Sequence, residues 1–159
     1  MSTHEQDVIN AIEANHGAGR ILKTTVVDDY KDMELRVAFD FDGVIADDQA
    51  EKIYKESGQV AIFHEHEQEH ILETHNPGPL ADFFKKLSFF QQLETKKEIE
   101  NPLYKKIVKT AIITARNAPS HERAINTLRE WGVTVDEMFL LGGIEKKGVL
   151  EIFKPHLFF

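Results

Sequence analysis

The sequence contains no cysteine among its 159 residues, so neither disulfide bonds nor thiolate chemistry contribute to its fold or function. No stretch approaches the roughly 20 apolar residues of a membrane-spanning helix, and the first residues lack the charged-then-apolar pattern of a secretion signal. Internal repeats and low-complexity tracts are also missing. These absences predict a cytoplasmic protein that has no membrane partner.

Positive charge is also scarce. The chain has 19 Lys and Arg against 27 Asp and Glu, which gives a formal net charge of −8. Binding a phosphodiester backbone calls for basic patches, so we expect no nucleic-acid polymer as a partner. A small anionic substrate needs only local positive charge and stays possible. The length fits one domain with a substantial core.

Two carboxylates stand at the end of an apolar run. Residues 35–39 are mostly apolar and predict a buried strand of a parallel sheet, and Asp40 and Asp42 follow it before Gly43. Such sheets bind ligands at the carboxyl ends of their strands, and residues two apart in an extended chain point the same way. Asp40 and Asp42 can therefore converge on one substrate group, one attacking and the other handling a proton. The plain alternative is a turn, which Asp and Gly both favour.

A second apolar strand, 111–114, ends in Thr114, and Ala115 and Arg116 follow it in a loop before a helix. The Thr114 hydroxyl and the free N–H groups of this loop would face a phosphate. Taken alone, Thr114 is equally an ordinary β-branched strand residue.

A third strand, 138–141, is closed by two glycines and followed by a lysine pair that begins a short helix. Lys147 of this pair would neutralise a nucleophile and a transferring phosphoryl group. Taken alone, a lysine pair usually belongs to a solvated face.

The chain resembles a known family in five segments: Leu35 to Asp40, Gly78-Pro79-Leu80, Thr114-Ala115-Arg116, Leu128 to Gly132, and Lys154 to Phe159. Together they resemble the cytosolic type I 5′-nucleotidases and their bacterial relatives, within the haloacid dehalogenase superfamily. Members dephosphorylate nucleoside 5′-monophosphates with Mg²⁺.

The resemblance implies a role for each matching residue. Asp40 corresponds to the nucleophile, Asp42 to the general acid/base and Lys147 to the charge stabiliser. Thr114, Ala115 and Arg116 correspond to the phosphate-binding loop. Asp40 and Asp42 correspond to the Mg²⁺ ligands, Asp42 through its backbone carbonyl.

The sequence departs from this pattern after its fourth strand. In the superfamily an acidic pair follows that strand and completes the Mg²⁺ site, whereas this sequence stops at Phe159. We therefore expect an internal portion of a longer family member, with weakened Mg²⁺ affinity and slow hydrolysis or none. The alternative function is nucleotide binding without turnover.

The predicted fold is a three-layer α/β sandwich of the Rossmann-like, haloacid dehalogenase type, with a mostly parallel sheet and a helical cap. Residues 1–46 and 108–159 are predicted to form the core, and residues 47–107 the cap, because that insertion exceeds a simple crossover. The predicted strands are 35–40, 110–114, 137–141 and 156–159, with a possible edge strand at 21–27. The predicted helices are 4–16, 51–58, 62–74, 79–93, one after Pro119 that stops at Gly132, and 147–153.

The predicted cap contains the sequence His66-Glu67-Gln68-Glu69-His70, which matches the zinc-protease motif H-E-x-x-H. The longer form of that motif fails at Glu73, and polar residues surround it. The sequence therefore favours a solvated cap helix over a zinc hydrolase. Phe63, His64 and the Gly78-Pro79 turn are candidates for stacking on, or hydrogen bonding to, a base, with the cap core as the alternative place for Phe63.

Overall fold

The computed structural model describes residues 1–16, 18–21, 29–49, 52 and 58–159. The chain divides into two compact units, Met1–Asp32 and Met33–Phe159. The first unit contains helix α1 (Glu5–Glu13), which buries none of its residues, and a bridge between Ser2 and Arg20. Helix α1 confirms the predicted N-terminal helix. The predicted strand at 21–27 and the predicted helix at 51–58 lie largely outside the described residues.

The second unit alternates strands and helices. Their order is β1 (Leu35–Phe39), α2 (Val60–Glu69), α3 (Ala81–Glu100), β2 (Val108–Thr114), α4 (His121–Glu130), β3 (Glu137–Leu140), α5 (Lys147–Phe153) and β4 (Leu157–Phe158). The strands are parallel in the order β3-β2-β1-β4. All four lie where the apolar runs predicted them, which confirms the α/β class with a parallel, Rossmann-like sheet. None of the helices in the described part is long and apolar enough to cross a bilayer.

Alternate residues of the central strands face opposite sides of the sheet. One face packs against α3 and α4 through a buried cluster that includes Val37, Phe39, Phe84 and Leu128. The other face packs against α5 through Ala38, Ala111, Ile113 and Phe153. Helices therefore cover both faces, as a parallel sheet requires, and the unit has the three layers predicted.

Helix α3 belongs to the layer against the sheet, although the sequence assigns residues 81–100 to the cap. Its Phe84 and Leu87 are buried in the same cluster as Phe39. The helix also continues past the predicted end near Leu93 to Glu100. The Glu94 carboxylate accepts hydrogen bonds from the amides of Ile107 and Val108, 2.8 and 3.1 Å away, at the start of β2. The division at 46/47 and 107/108 stays a prediction.

Gly78 approaches the backbone of residues 44–46 more closely than any side chain allows. Its amide donates to the Ile45 carbonyl at 2.8 Å. A Cβ at this position would lie 2.3 Å from the Ala46 oxygen and 2.6 Å from the Val44 oxygen. Gly78 therefore holds the loop that follows β1 in place.

We expect Gly78→Ala to lower the free energy of unfolding by about 1–3 kcal/mol, because the added methyl group displaces backbone rather than a flexible side chain. The matched control is Gly148→Ala in α5, where a Cβ meets no atom within 4 Å. That change should stabilise by about 0.5–1 kcal/mol. Urea unfolding of both variants checks the prediction, and equal midpoints would contradict it.

Candidate active site

The loop after β1 directs Asp40 and Asp42 away from the core. The amides of Ile45 and Ala46 both donate to the Phe41 carbonyl, at 3.1 and 2.9 Å, and close a tight turn. Gly43 has φ 73°, in the left-handed region that favours glycine. Phe41 and Ile45 are fully buried and anchor the turn.

A pocket of about 290 Å³ opens at the carboxyl ends of β1 and β2, where parallel sheets bind their ligands. Its lining residues are Asp40, Asp42, Val60, Phe63, His64, Thr114, Ala115, Arg116, Asn117, Gly142 and Gly143. The structure thus brings together every predicted site residue except Lys147.

Lys146, and not Lys147, contacts the predicted nucleophile. The Lys146 ammonium donates to Oδ2 of Asp40, while Oδ1 of Asp40 accepts the Phe41 amide at 2.8 Å. Lys147 lies in the first turn of α5 with its side chain 76% exposed, and its Nζ is 3.9 Å from Glu151. Because α5 begins at Lys147, Lys146 precedes the helix and contacts Asp40, which makes Lys146 the candidate for the predicted role of charge stabiliser.

We expect Lys146→Met to lower the rate of phosphate release by about 10²–10³-fold, the usual cost of removing one charge-stabilising donor. Lys147→Met should stay within about twofold of the parent chain, because an exposed, weakly paired lysine contributes little. Initial-rate assays on the two variants compare neighbouring residues of the same type. A larger loss in Lys147→Met would return the role to that residue.

Arg116 grips the carboxylate of Asp42. Its Nε donates to Oδ2 at 2.8 Å and its Nη2 to Oδ1 at 2.6 Å, the two-pronged geometry that gives strong, directional ion pairs. The Arg116 side chain is 2% exposed, and its guanidinium lies 5.1 Å from the Phe41 ring and 5.5 Å from the Phe63 ring. The hydrogen bonds that Arg116 donates thus go to protein groups and not into the pocket.

The acidic motif on α2 is only partly solvated as predicted, because Glu67 is buried while Gln68 and Glu69 are exposed. Oε2 of Glu67 accepts from Nη1 of Arg116, and Oε1 accepts from Nη1 of Arg123 at 2.8 Å. Nε2 of His75 lies 3.4 Å from Oε2, and Nδ1 of His66 lies 3.4 Å from Oε1. A buried carboxylate needs such partners. Sequence periodicity gave no signal of this, since the two arginine partners come from distant segments.

These contacts shift two pKa values. Burial alone would raise the pKa of Glu67, but His75 and Arg116 outweigh it and hold this pKa well below the ordinary 4.5. Burial likewise favours a lower pKa for Arg116, but the hydrogen bonds and charges of Asp42 and Glu67 raise it instead. Both groups are therefore ionised at neutral pH.

Stability should consequently depend on Glu67 in acid. A depressed pKa in the folded state stabilises the protein above the unfolded pKa, and this contribution disappears as the pH falls toward the folded pKa. Between about pH 5 and 2.5, we expect the free energy of unfolding to fall more steeply with decreasing pH in the parent chain than in Glu67→Gln. The two slopes should differ by the equivalent of up to one bound proton. Urea unfolding across this range measures both slopes, and identical slopes would contradict this expectation.

The end of β2 and the loop after it form another part of the pocket wall. Thr114 is buried at the end of β2, and its Oγ1 accepts the Arg116 amide at 3.3 Å. Ala115 is exposed at the pocket. Oδ1 of Asn117, which the sequence did not single out, lies 3.0 Å from Nε2 of His64. This contact joins the loop after β2 to helix α2.

Two of the three predicted base-binding elements reach the pocket. Phe63 and His64 of α2 line it, whereas Gly78 packs against residues 44–46 and is not part of its wall.

The donor atoms present fit Mg²⁺. This ion prefers oxygen ligands and usually takes one or two carboxylates, with water and substrate phosphate completing its shell. The Asp40 carboxylate and the Asp42 backbone carbonyl are oxygen donors of this kind. Over the described ranges, no three or more His, Cys, Asp or Glu residues gather as a metal-binding group, so His66 and His70 gain no support as zinc ligands.

Comparison with known proteins agrees with these motifs. A family model described as 5′-nucleotidase matches residues 1–159. Human cytosolic 5′-nucleotidase 1B is 36% identical to the chain in an alignment 148 residues long, which covers 87% of this chain and 23% of the human protein. The chain thus spans less than a quarter of that relative's length. No solved structure matches it. The match over the whole chain confirms the resemblance, and the chain belongs to the 5′-nucleotidase family.

Proposed function

We propose that this chain provides the phosphate site of a Mg²⁺-dependent 5′-nucleotidase that hydrolyses nucleoside 5′-monophosphates to nucleoside and phosphate. The observation that supports it most is the meeting of Asp40, Asp42 and Thr114 at one pocket, with Lys146 bound to Asp40. Phosphoryl transfer depends mainly on positioning and charge stabilisation, which these groups supply. The human relative's name places that protein in the cytosol, and we propose the same compartment for this chain.

In the proposed reaction, a carboxylate oxygen of Asp40 attacks the phosphorus in line with the bond to the 5′-oxygen. The bond to Asp40 forms as the bond to the 5′-oxygen breaks, which gives an aspartyl-phosphate. In this step Asp42 carries a proton and gives it to the leaving 5′-oxygen, and the attacking water restores that proton in the next step. Asp42 then takes a proton from the water that attacks the phosphorus, and phosphate leaves as the Asp40 carboxylate is restored.

Cations compensate the charge that accumulates in this reaction. Lys146 already contacts Asp40 and stabilises negative charge on the nucleophile and the transferring group. The Asp40 carboxylate and the Asp42 backbone carbonyl would hold Mg²⁺. When bound, the ion polarises the phosphate and offsets its charge.

The nucleoside would lie against α2. Phe63 presents an aromatic ring at the pocket. His64 also lines the pocket, and its Nε2 is hydrogen-bonded to Asn117. A base stacks well on an aromatic ring without regard to its identity, whereas a polar contact can select one base. We therefore assign affinity to Phe63 and base preference to His64 with Asn117.

A second candidate is nucleotide binding without turnover. Both reactive carboxylates are already ion-paired, Asp40 with Lys146 and Asp42 with Arg116. If the Lys146 ammonium stays on Oδ2 of Asp40 when a nucleotide binds, the Asp40 carboxylate is not free to attack the phosphorus.

One assay separates these functions. The purified 159-residue chain is mixed with nucleoside 5′-monophosphates of each base, with Mg²⁺, with Zn²⁺ or with a chelator, and phosphate release is measured beside calorimetric binding. Release that needs Mg²⁺ supports the nucleotidase. Binding without release supports the second candidate. Release with Zn²⁺ alone would overturn both and favour a zinc hydrolase.

A further inference from the structure

A buried ion network joins helix α2 to the proposed acid/base. It contains two carboxylates, Asp42 and Glu67, and two guanidiniums, Arg116 and Arg123, so its formal charges cancel. Each oxygen of Glu67 serves a different arginine. Glu67 is therefore the one carboxylate that ties both arginines together among these four groups.

Arg116 lies between the two carboxylates. Its Nε and Nη2 hold Asp42, while its Nη1 donates to Glu67 and, at 2.9 Å, to the Ser120 carbonyl. The guanidinium is planar and rigid, so fixing one end of the fork fixes the direction of the other. Glu67 and the Ser120 carbonyl therefore hold the end of the guanidinium opposite Asp42.

Glu67 itself does not line the pocket, although its helix does. Phe63, four residues earlier on the same face of α2, both lines the pocket and lies 5.5 Å from the Arg116 guanidinium carbon. Helix α2 thus touches Arg116 through Glu67 and through Phe63.

We propose that Glu67 is a positioning residue, which acts through Arg116 to aim the Asp42 carboxylate at the reacting oxygen. Arg116 is then part of the same device rather than a phosphate ligand. The inference rests on the proposed function, because that function gives Asp42 its role as acid/base. The orientation of Asp42 is argued from the ion network alone.

The first test does not depend on turnover. The Arg116 Nε–H proton, assigned by its loss in Arg116→Lys, should exchange slowly with water in the parent chain because it is buried and bound to Asp42. In Glu67→Gln we expect exchange at least tenfold faster. Glu69→Gln, an exposed glutamate on the same helix, should leave it unchanged. Unaltered exchange in Glu67→Gln overturns the inference.

The second test measures phosphate release. Glu67→Gln should lower kcat about 10–100-fold, the cost of misplacing a reacting group by roughly 1 Å, while KM stays within about threefold. Adding Glu67→Gln to Arg116→Lys should cost no further kcat, because both changes break one device. A rise in KM alone, or additive losses, would overturn the inference.

Glu67→Asp guards against a variant that fails to fold. It keeps the buried charge but withdraws the carboxylate from Arg116 by one methylene, so exchange and kcat should lie between those of the parent and Glu67→Gln. Parental values for both would overturn the inference. If the parent chain releases no phosphate, the proposed function fails, and the exchange test still decides whether Glu67 orients Asp42 through Arg116.

Discussion

Asp40→Asn should reduce Mg²⁺-dependent phosphate release by about 10³-fold or more, because the amide cannot form the acyl-phosphate that the proposed reaction needs. The fold should survive, since Asp40 is only partly buried and Asn keeps its size and its oxygen for the Phe41 amide. Initial rates and the urea midpoint, measured on one preparation, test both halves of this expectation.

Asp47→Asn is the matched control. Asp47 is a nearby acid whose carboxylate accepts from Asn76 at 3.0 Å, and it does not line the pocket. We expect its rate to stay within about threefold of the parent, as for a change outside the reacting groups. Comparable losses in the two variants would show that general charge near the loop, and not attack by Asp40, determines the rate.

Arg116→Met should lower the free energy of unfolding by about 3–5 kcal/mol, the usual cost of removing one partner from a buried ion pair. The change leaves Asp42 without its two-pronged donor and Glu67 with Arg123 as its remaining guanidinium. Methionine fills a similar volume, so the loss reports charge rather than a cavity.

Arg129→Met provides the comparison, because Arg129 is exposed on α4. Substitutions at such sites usually stay within about 0.5 kcal/mol. Urea unfolding at neutral pH distinguishes the two variants. A loss below about 1 kcal/mol in Arg116→Met would mean that water or the histidines compensate the buried carboxylates, and that Arg116 is not their principal partner.

The fold was predictable because its strands are apolar runs bounded by turn residues. Residues 35–39 and 108–114 are buried next to each other in the sheet, as such runs indicate. The extent of α3 was less predictable, because its apolar stripe fades after Leu93. Its last turns are polar, and Glu94 gains its partners only when β2 lies beside it.

The site was predictable where it depends on strand ends. Asp40, Asp42 and Thr114 end adjacent parallel strands or follow them directly, so topology alone brings them to one edge. The choice between Lys146 and Lys147 depends on the residue at which α5 begins, and a sequence pattern does not fix a helix start to the single residue.

Glu67 was the least predictable member of the site region. Its neighbours in sequence are polar, and the charges that allow its burial come from the loop after β2 and from α4. A buried acid of this kind has no periodic signature in its own helix. The H-E-x-x-H pattern contains Glu67, but the described residues form no metal-binding group that would support the zinc site of that motif.

Locating the phosphoryl intermediate tests the central claim most directly. The chain is incubated with Mg²⁺ and a nucleoside 5′-monophosphate labelled in its phosphate, quenched in acid during turnover, digested and analysed by mass spectrometry. The proposed mechanism predicts labelled phosphate on Asp40, labile to hydroxylamine as an acyl-phosphate is, and absent from Asp40→Asn. Continued phosphate release with no label on Asp40, or label on another residue, would contradict it.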